Sequence, residues 1–253
     1  MGSLSGKHAL VTGGGTGSGA QIALSLARNG AQVTIAGRRL EPLIETAAGQ
    51  ERIYPEQCDV TDEKSVQELF QTSEKARGPI DIVIANAGMA KSAPLHKTDF
   101  ELWQSTLSVN LTGSFLVARA GLQTMLKIGW GRIIFLASTA GLKGYPYVTA
   151  YCAAKHGIVG LTRSLALETA KKGITVNAIC PGFMETPMLN ESIKTITDKT
   201  GLSESEARAS LVSGNPQGRF IQPDEVASMI MYLCSEHASS INGQALSLSG
   251  GEV

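Results

Sequence analysis

Tyr151 and Lys155 stand four residues apart near the start of a helical pattern, which puts both on one face, one turn apart. A phenol with an unperturbed pKa near about 10 is a poor base at neutral pH. An ammonium beside it favours the phenolate and lowers that pKa, as a tyrosine acid/base requires. Upstream, Ser138 ends an apolar run, where a hydroxyl can hydrogen-bond a substrate oxygen as negative charge develops. A Tyr–Lys pair at this spacing is, taken alone, an ordinary surface pair, so the reading depends on what surrounds it. Cys152 adjoins the tyrosine but faces elsewhere on the helix, which argues against a thiol nucleophile. Ser138 has neither an adjacent histidine nor a GxSxG turn, so an α/β-hydrolase reading fails on its own requirements.

A second cluster opens the chain. Thr12-Gly13-Gly14-Gly15-Thr16-Gly17-Ser18-Gly19 sits between an apolar run and an amphipathic one, with Gly13, Gly17 and Gly19 in a GxxxGxG spacing. Gly13 lets the chain leave a strand in a tight turn, while Gly17 and Gly19 let backbone approach a pyrophosphate. The helix that follows offers free N–H groups to phosphates. A glycine-rich turn alone is equally a flexible loop; strand before and helix after point to a dinucleotide. At the end of the second apolar run, Gly37 stands where an enzyme selecting NAD usually places a carboxylate for the ribose hydroxyls. Arg38 beside it can pair with a 2′-phosphate, so NADP(H) is expected over NAD(H).

These groups must be held by elements, and the pattern names them. Short Val/Ile-rich runs at 8–12, 32–36, 80–85, 132–137, 175–180 and 245–249 read as strands, with 53–58 as a seventh candidate. Helical patterns cover 17–29, 62–76, 100–127 with an interruption, 150–171 and 223–235. Such alternation implies right-handed crossovers and an α/β fold. The expectation is one domain, 1–253, with a doubly wound, mostly parallel seven-stranded sheet and helices on both faces, the Rossmann arrangement. Residues 186–218 are polar and weakly helical, follow a strand end and read as a substrate lid.

Composition narrows the class. The 253 residues carry 22 basic and 22 acidic side chains and no run of like charge, so neither a nucleic-acid nor a membrane partner has electrostatic support. Cys58, Cys152, Cys180 and Cys234 form no CxxC pair and read as reduced, buried thiols. With His8, His96, His156 and His237 scattered as well, no metal site is expected. Residues 1–7 lack the apolar core of a secretion signal, and no apolar stretch is long enough to span a bilayer. The expected location is the cytoplasm.

From Gly6 to Gly251 the chain resembles the short-chain dehydrogenase/reductase family, in its branch of about 250 residues. The glycine turn carries that resemblance, with Thr16 within it and Ser18 where an aliphatic residue is more usual. So do Asp59-Val60, Asn86-Ala87-Gly88 and Pro181-Gly182 followed by Thr186. The resemblance implies that Asp59 contacts the adenine and that 86–88 passes under the cofactor. It also implies that Pro181, Gly182 and Thr186 hold the nicotinamide carboxamide. The thirteen residues between Ser138 and Tyr151 match the family spacing, which favours Ser138 over its neighbour Thr139. Asn110 matches the fourth catalytic position, where the family's backbone distorts a helix and holds a water leading from the lysine.

The implied activity is interconversion of a ketone and a secondary alcohol, with Tyr151 as acid/base. Residues 173–188 and 218–227 look like 3-oxoacyl thioester reductases, polyketide ketoreductases and 3-hydroxybutyrate dehydrogenases. Residues 127–132 hold only sparse positive charge, against the basic cluster of carrier-protein reductases. Leu142, Tyr145, Met184, Met188 and Leu189 are candidate pocket walls or ordinary packing residues. A dehydrogenase of a free hydroxy acid or other secondary alcohol is an alternative. A silent cofactor sensor is another, although such proteins typically lose the Tyr or Lys kept here. A homotetramer is the assembly that the resemblance implies.

Overall fold

Residues 4–253 are described by a computed structural model; the reading of residues 1–3 as part of a segment without a secretion signal lies outside them. The Val/Ile-rich runs become β1 (His8–Thr12), β2 (Gln32–Gly37), β3 (Ile53–Gln57), β4 (Ile82–Ala85), β5 (Gly131–Leu136), β6 (Ile174–Pro181) and β7 (Ala245–Leu248). They pair in the order β3-β2-β1-β4-β5-β6-β7, and every pairing is parallel, so the sheet is wholly rather than mostly parallel. Strand order reverses between β1 and β4, and a crevice beyond the carboxyl ends at such a switch point is where open α/β sheets bind ligands.

Alternation along each strand sends neighbours to opposite faces. Val11, Ile35, Ile84 and Ile179 pack with α1 (Gly17–Arg28) and, through Val226 and Ile230, with α9 (Pro223–Cys234). Leu10, Val83, Phe135 and Val176 pack on the other side with Phe70, Val117 and Ile158. These come from α3 (Glu63–Arg77), α5 (Gly113–Ile128) and α6 (Thr149–Thr169). Two apolar layers therefore clamp the sheet and fix the strand ends that carry the site.

The remaining helices refine the sequence reading. A short helix absent from it, α2 (Leu40–Ala47), follows β2 and buries only Leu43, too little apolar periodicity to be legible. The expected interruption in 100–127 is real: α4 (Phe100–Leu107) runs into a π turn, Ser108–Thr112, before α5 begins. The cap of α3 is Asp62, whose carboxylate accepts from Lys64 N–H. Residues 186–218 hold two helices, α7 (Pro187–Thr200) and α8 (Glu204–Val212), closed over their own small core of Leu189, Ile193, Ala207 and Phe220. Pro187 starts α7, and Ser203 with Glu206 forms a capping box for α8. Cys58, Cys180 and Cys234 are buried free thiols, but Cys152 is only half-buried, because it lies beside Tyr151 at the cleft end of α6. Among the described residues no helix is long and apolar enough to cross a membrane.

Candidate active site

The site begins where β1 ends. Gly13 turns the chain with φ 67°, and its N–H donates to Ala36 O at 2.7 Å. A Cβ on Gly19 would lie 2.1 Å from Gly13 O, so α1 can start this close to the turn only with glycine there. Gly14, to which the sequence reading gave no role, is packed against Ile35, 2.7 Å from where its Cβ would be. Thr16 caps α1 through its backbone alone, and the first turn carries no acidic residue. The leading amides of α1 therefore face the cleft with no side-chain acceptor, which fits a pyrophosphate.

Asn86, just beyond β4, ties this turn to the middle of the sheet. Its Nδ2 donates to Thr12 O at 2.9 Å and Gly13 O at 3.3 Å, while its Oδ1 accepts from Ser18 Oγ at 2.9 Å. Thr12 Oγ1 in turn accepts from the N–H groups of Asn86 and Ala87, both at 3.1 Å. Ser18 thus spends its hydroxyl on Asn86, which explains how a polar residue replaces an aliphatic one here. Thr12 opens the glycine-rich motif in the sequence, but the bonds its hydroxyl makes to Asn86 and Ala87 carry no local signal.

Across the switch point the second cluster assembles. The π turn widens the helix at Asn110, which is fully buried. Asn110 Nδ2 donates to Met89 O and Thr106 O, each at 2.9 Å, and its Oδ1 accepts from Met89 N–H at 3.3 Å. Its backbone carbonyl accepts from Ser114 Oγ at 3.0 Å. A Cβ on Gly88 would meet Asn110 Oδ1 at 2.9 Å and Lys155 Nζ at 3.9 Å, so the glycine lets these two groups approach. Lys155 is buried on α6 and donates to Leu136 O at 2.6 Å. Its ammonium lies 5.5 Å from the centroid of the Tyr151 ring.

The electrostatics differ from the sequence expectation. Burial pushes the Tyr151 phenol up to about 12, and its hydrogen bond with Ser138 offsets this only in part. Burial also lowers the Lys155 ammonium to about 8. Lys155 directs one N–H at Leu136 O, and burial leaves the phenol protonated at neutral pH. Ser138 sits immediately past β5, and its Oγ accepts from Ala140 N–H at 3.1 Å.

Gly13, Thr16, Gly17, Ser18, Asn86, Ala87, Gly88, Asn110, Tyr151, Lys155, Pro181 and Thr186 share one cleft that opens to solvent. Ser138 is not among the lining residues, but it directly follows Ala137, which is. Thr186 touches the turn directly, since a Cβ on Gly17 would lie 3.3 Å from Thr186 Cβ. Arg38, Asp59 and Val60 are not part of this cleft. Asp59 is raised by burial yet held below the usual carboxylate range by the Thr61 amide and hydroxyl and by the Arg38 charge. Gly182 also lies outside the lining. Of the five candidate wall residues, Met184 and Met188 line the cleft, joined by Met89, which the sequence reading missed. Leu189 is in the lid core, Leu142 packs on the main core, and Tyr145 bonds to Thr139 and Glu252.

Comparison with known proteins agrees with this geometry. Residues 7–197 match the family model described as short chain dehydrogenase. The chain is 36% identical to a D-beta-hydroxybutyrate dehydrogenase of Cupriavidus necator, covering 99% of each. It is 35% identical to a 3-oxoacyl-[acyl-carrier-protein] reductase of Thermotoga maritima, again over 99% of each. Among solved structures, an actinorhodin polyketide ketoreductase variant with NADPH superposes with a TM-score of 0.95 at 36% identity, covering 100% of this chain and 99% of that one. Levodione reductase follows with a TM-score of 0.93 at 31% identity, covering 98% of each.

Proposed function

The chain belongs to the short-chain dehydrogenase/reductase family, and from that premise we propose how its cleft does the family's work. It is an NAD(P)-dependent oxidoreductase that interconverts a ketone and a secondary alcohol. The observation that carries the residue assignments is the convergence of Tyr151 and buried Lys155 with the glycine turn on one cleft, with the Ser138 hydroxyl beside the phenol. The α1 amides and Ser18-Gly19 would take the pyrophosphate, and Asn86-Ala87-Gly88 would lie beneath the cofactor. Pro181, Gly182 and Thr186 would meet the carboxamide, with Asp59 and Val60 at the adenine. A bound nicotinamide supplies or accepts the hydride. Tyr151, protonated at neutral pH, donates its proton to the carbonyl oxygen during reduction. Ser138 hydrogen-bonds the same oxygen as charge develops. Lys155 would hold the nicotinamide ribose, and the Asn110 carbonyl would support proton resupply toward it.

The substrate class we favour is a 3-oxoacyl or 3-hydroxyacyl thioester or a related ketone. Support comes from the 3-oxoacyl-carrier-protein and polyketide reductases among the relatives and from the thioether-rich wall of Met89, Met184 and Met188. The preferred cofactor is NADP(H), since Gly37 offers no carboxylate and Arg38 stands next to it. We further assign 186–218 as the lid of a single domain and a cytoplasmic homotetramer as the working form. A monomer by light scattering at assay concentration would overturn the assembly. The activity itself is tested by following cofactor absorbance with NADPH and NADH against 3-oxoacyl thioesters, cyclic diketones and hydroxybutyrate. Turnover with at least one ketone is expected; cofactor binding without turnover on any would favour a sensor.

A further inference from the structure

Glu252 lies in the segment after β7, beyond Gly250 and Gly251, whose φ of 63° and 96° fold the chain back on itself. Its side chain is only 5% exposed, yet Lys143 Nζ stands 2.9 Å from Oε1. The Tyr145 hydroxyl approaches the same oxygen at 2.6 Å, and Thr139 Oγ1 lies 2.7 Å from the phenol oxygen. A carboxylate only accepts, so the single phenol proton points to Glu252 and the Thr139 hydroxyl donates into the phenol. The phenol reflects this order: burial and the Glu252 bond both raise its pKa, while the Thr139 bond lowers it.

This chain of hydroxyls ends beside the reacting groups. Thr139 is buried and directly follows Ser138, whose side chain caps the turn Thr139–Gly141. The Tyr145 ring meets Phe183 edge-on at 6.3 Å, and Phe183 follows Gly182 in the loop after β6. Glu252 Oε2 lies 3.4 Å from where a Cβ on Gly182 would be, and Oε1 lies 3.0 Å from the same point on Gly214, past the end of α8. One carboxylate therefore touches the Ser138 loop, the loop assigned to the nicotinamide and the end of the lid. It does not line the cleft, so it acts through other groups.

We propose that Glu252 is a positioning residue: through Tyr145 and Thr139 it holds the Ser138 hydroxyl in place, and against Gly182 it holds the loop beside the nicotinamide. This rests on the role assigned to Ser138 above. The test compares Glu252→Ala, Glu252→Gln, Tyr145→Phe and the double variant Tyr145→Phe/Glu252→Ala, with Ser138→Ala as control. Turnover and KM for a ketone substrate are measured, together with amide hydrogen exchange at 138–142 in the protein without cofactor. Glu252→Ala and Tyr145→Phe are each expected to lower kcat about tenfold with little change in KM, because a misplaced donor costs reaction geometry more than binding. Exchange at Ala140 and Gly141 should quicken in both. Glu252→Gln should retain most activity, as its amide oxygen still accepts the phenol proton. The double variant should lose no more than the worse single one, since both break the same chain. Wild-type kcat and exchange in Tyr145→Phe, or additive losses in the double variant, would overturn the inference; Tyr145→Phe keeps the ring and so decides the matter if Glu252→Ala does not fold. Full turnover in Ser138→Ala would remove the Ser138 assignment and this inference with it. Loss in Ser138→Ala beside normal Glu252→Ala and Tyr145→Phe would remove the inference alone.

Discussion

At the scale of single residues, burial shifts Tyr151 and Lys155 in opposite directions, because it disfavours the charged form of each. Tyr151 keeps its proton up to about 12, whereas Lys155 gives up its charge as pH rises through about 8. The reductive kcat/KM for cofactor, which reports the free enzyme, should therefore be level at neutral pH and fall above about pH 8. A profile that stays flat to pH 10 would show that the ammonium is not needed. Gly37 supports a second prediction. A Cβ there would meet Leu43 Cδ2 at 3.7 Å, an ordinary contact, so Gly37→Asp should be accommodated without strain. The new carboxylate would repel a 2′-phosphate and accept from ribose hydroxyls. Wild type should favour NADPH by kcat/KM, Arg38→Ala should weaken NADPH selectively, and Gly37→Asp should reverse or erase the preference. A shift of about tenfold corresponds to about 1.4 kcal/mol. A wild-type preference for NADH would instead make Arg38 an adenine-stacking residue.

At the scale of elements, the decisive contact is the start of α1 against the β1 turn. Gly19→Ala would force a methyl to within 2.1 Å of Gly13 O, so helix and turn must separate. Cofactor affinity, read by fluorescence titration, should fall by at least about tenfold, as for a loss of backbone phosphate donors. Unchanged affinity would mean that the phosphates bind elsewhere. All seven strands were legible to within about two residues because short runs bounded by turn-forming glycines or prolines, most of them rich in Val and Ile, have few other readings. The interruption at Asn110 was legible, but its being a π turn was not, since that depends on Met89 and Thr106 carbonyls satisfying the side chain. The α7 and α8 helices were obscured by polar exposure: their small core uses Phe220, from outside both helices. Motif spacing singled out Gly13, Gly17, Gly88, Tyr151 and Lys155, which the fold brings to one cleft. Residues that work through long-range contacts, such as Met89 and Glu252, carry no local signal.

At the scale of the whole molecule, a wholly parallel sheet reverses its strand order between β1 and β4. That reversal places an uncapped helix start on one side of a crevice and the Tyr151–Lys155 face of α6 on the other. The layers on both faces make the scaffold rigid, while α7 and α8 close over a separate small core beside the opening. On the assignments proposed above, cofactor binding and proton transfer use different walls of one cleft and should be separable by mutation. Tyr151→Phe keeps the ring and its packing and removes only the transferable proton. The most direct measurement is ketone turnover by this variant, with cofactor affinity determined on the same preparation. Turnover should fall by at least about a thousandfold, while affinity stays near the wild-type value; turnover within a few fold of wild type would contradict the assignment of Tyr151 as the proton donor.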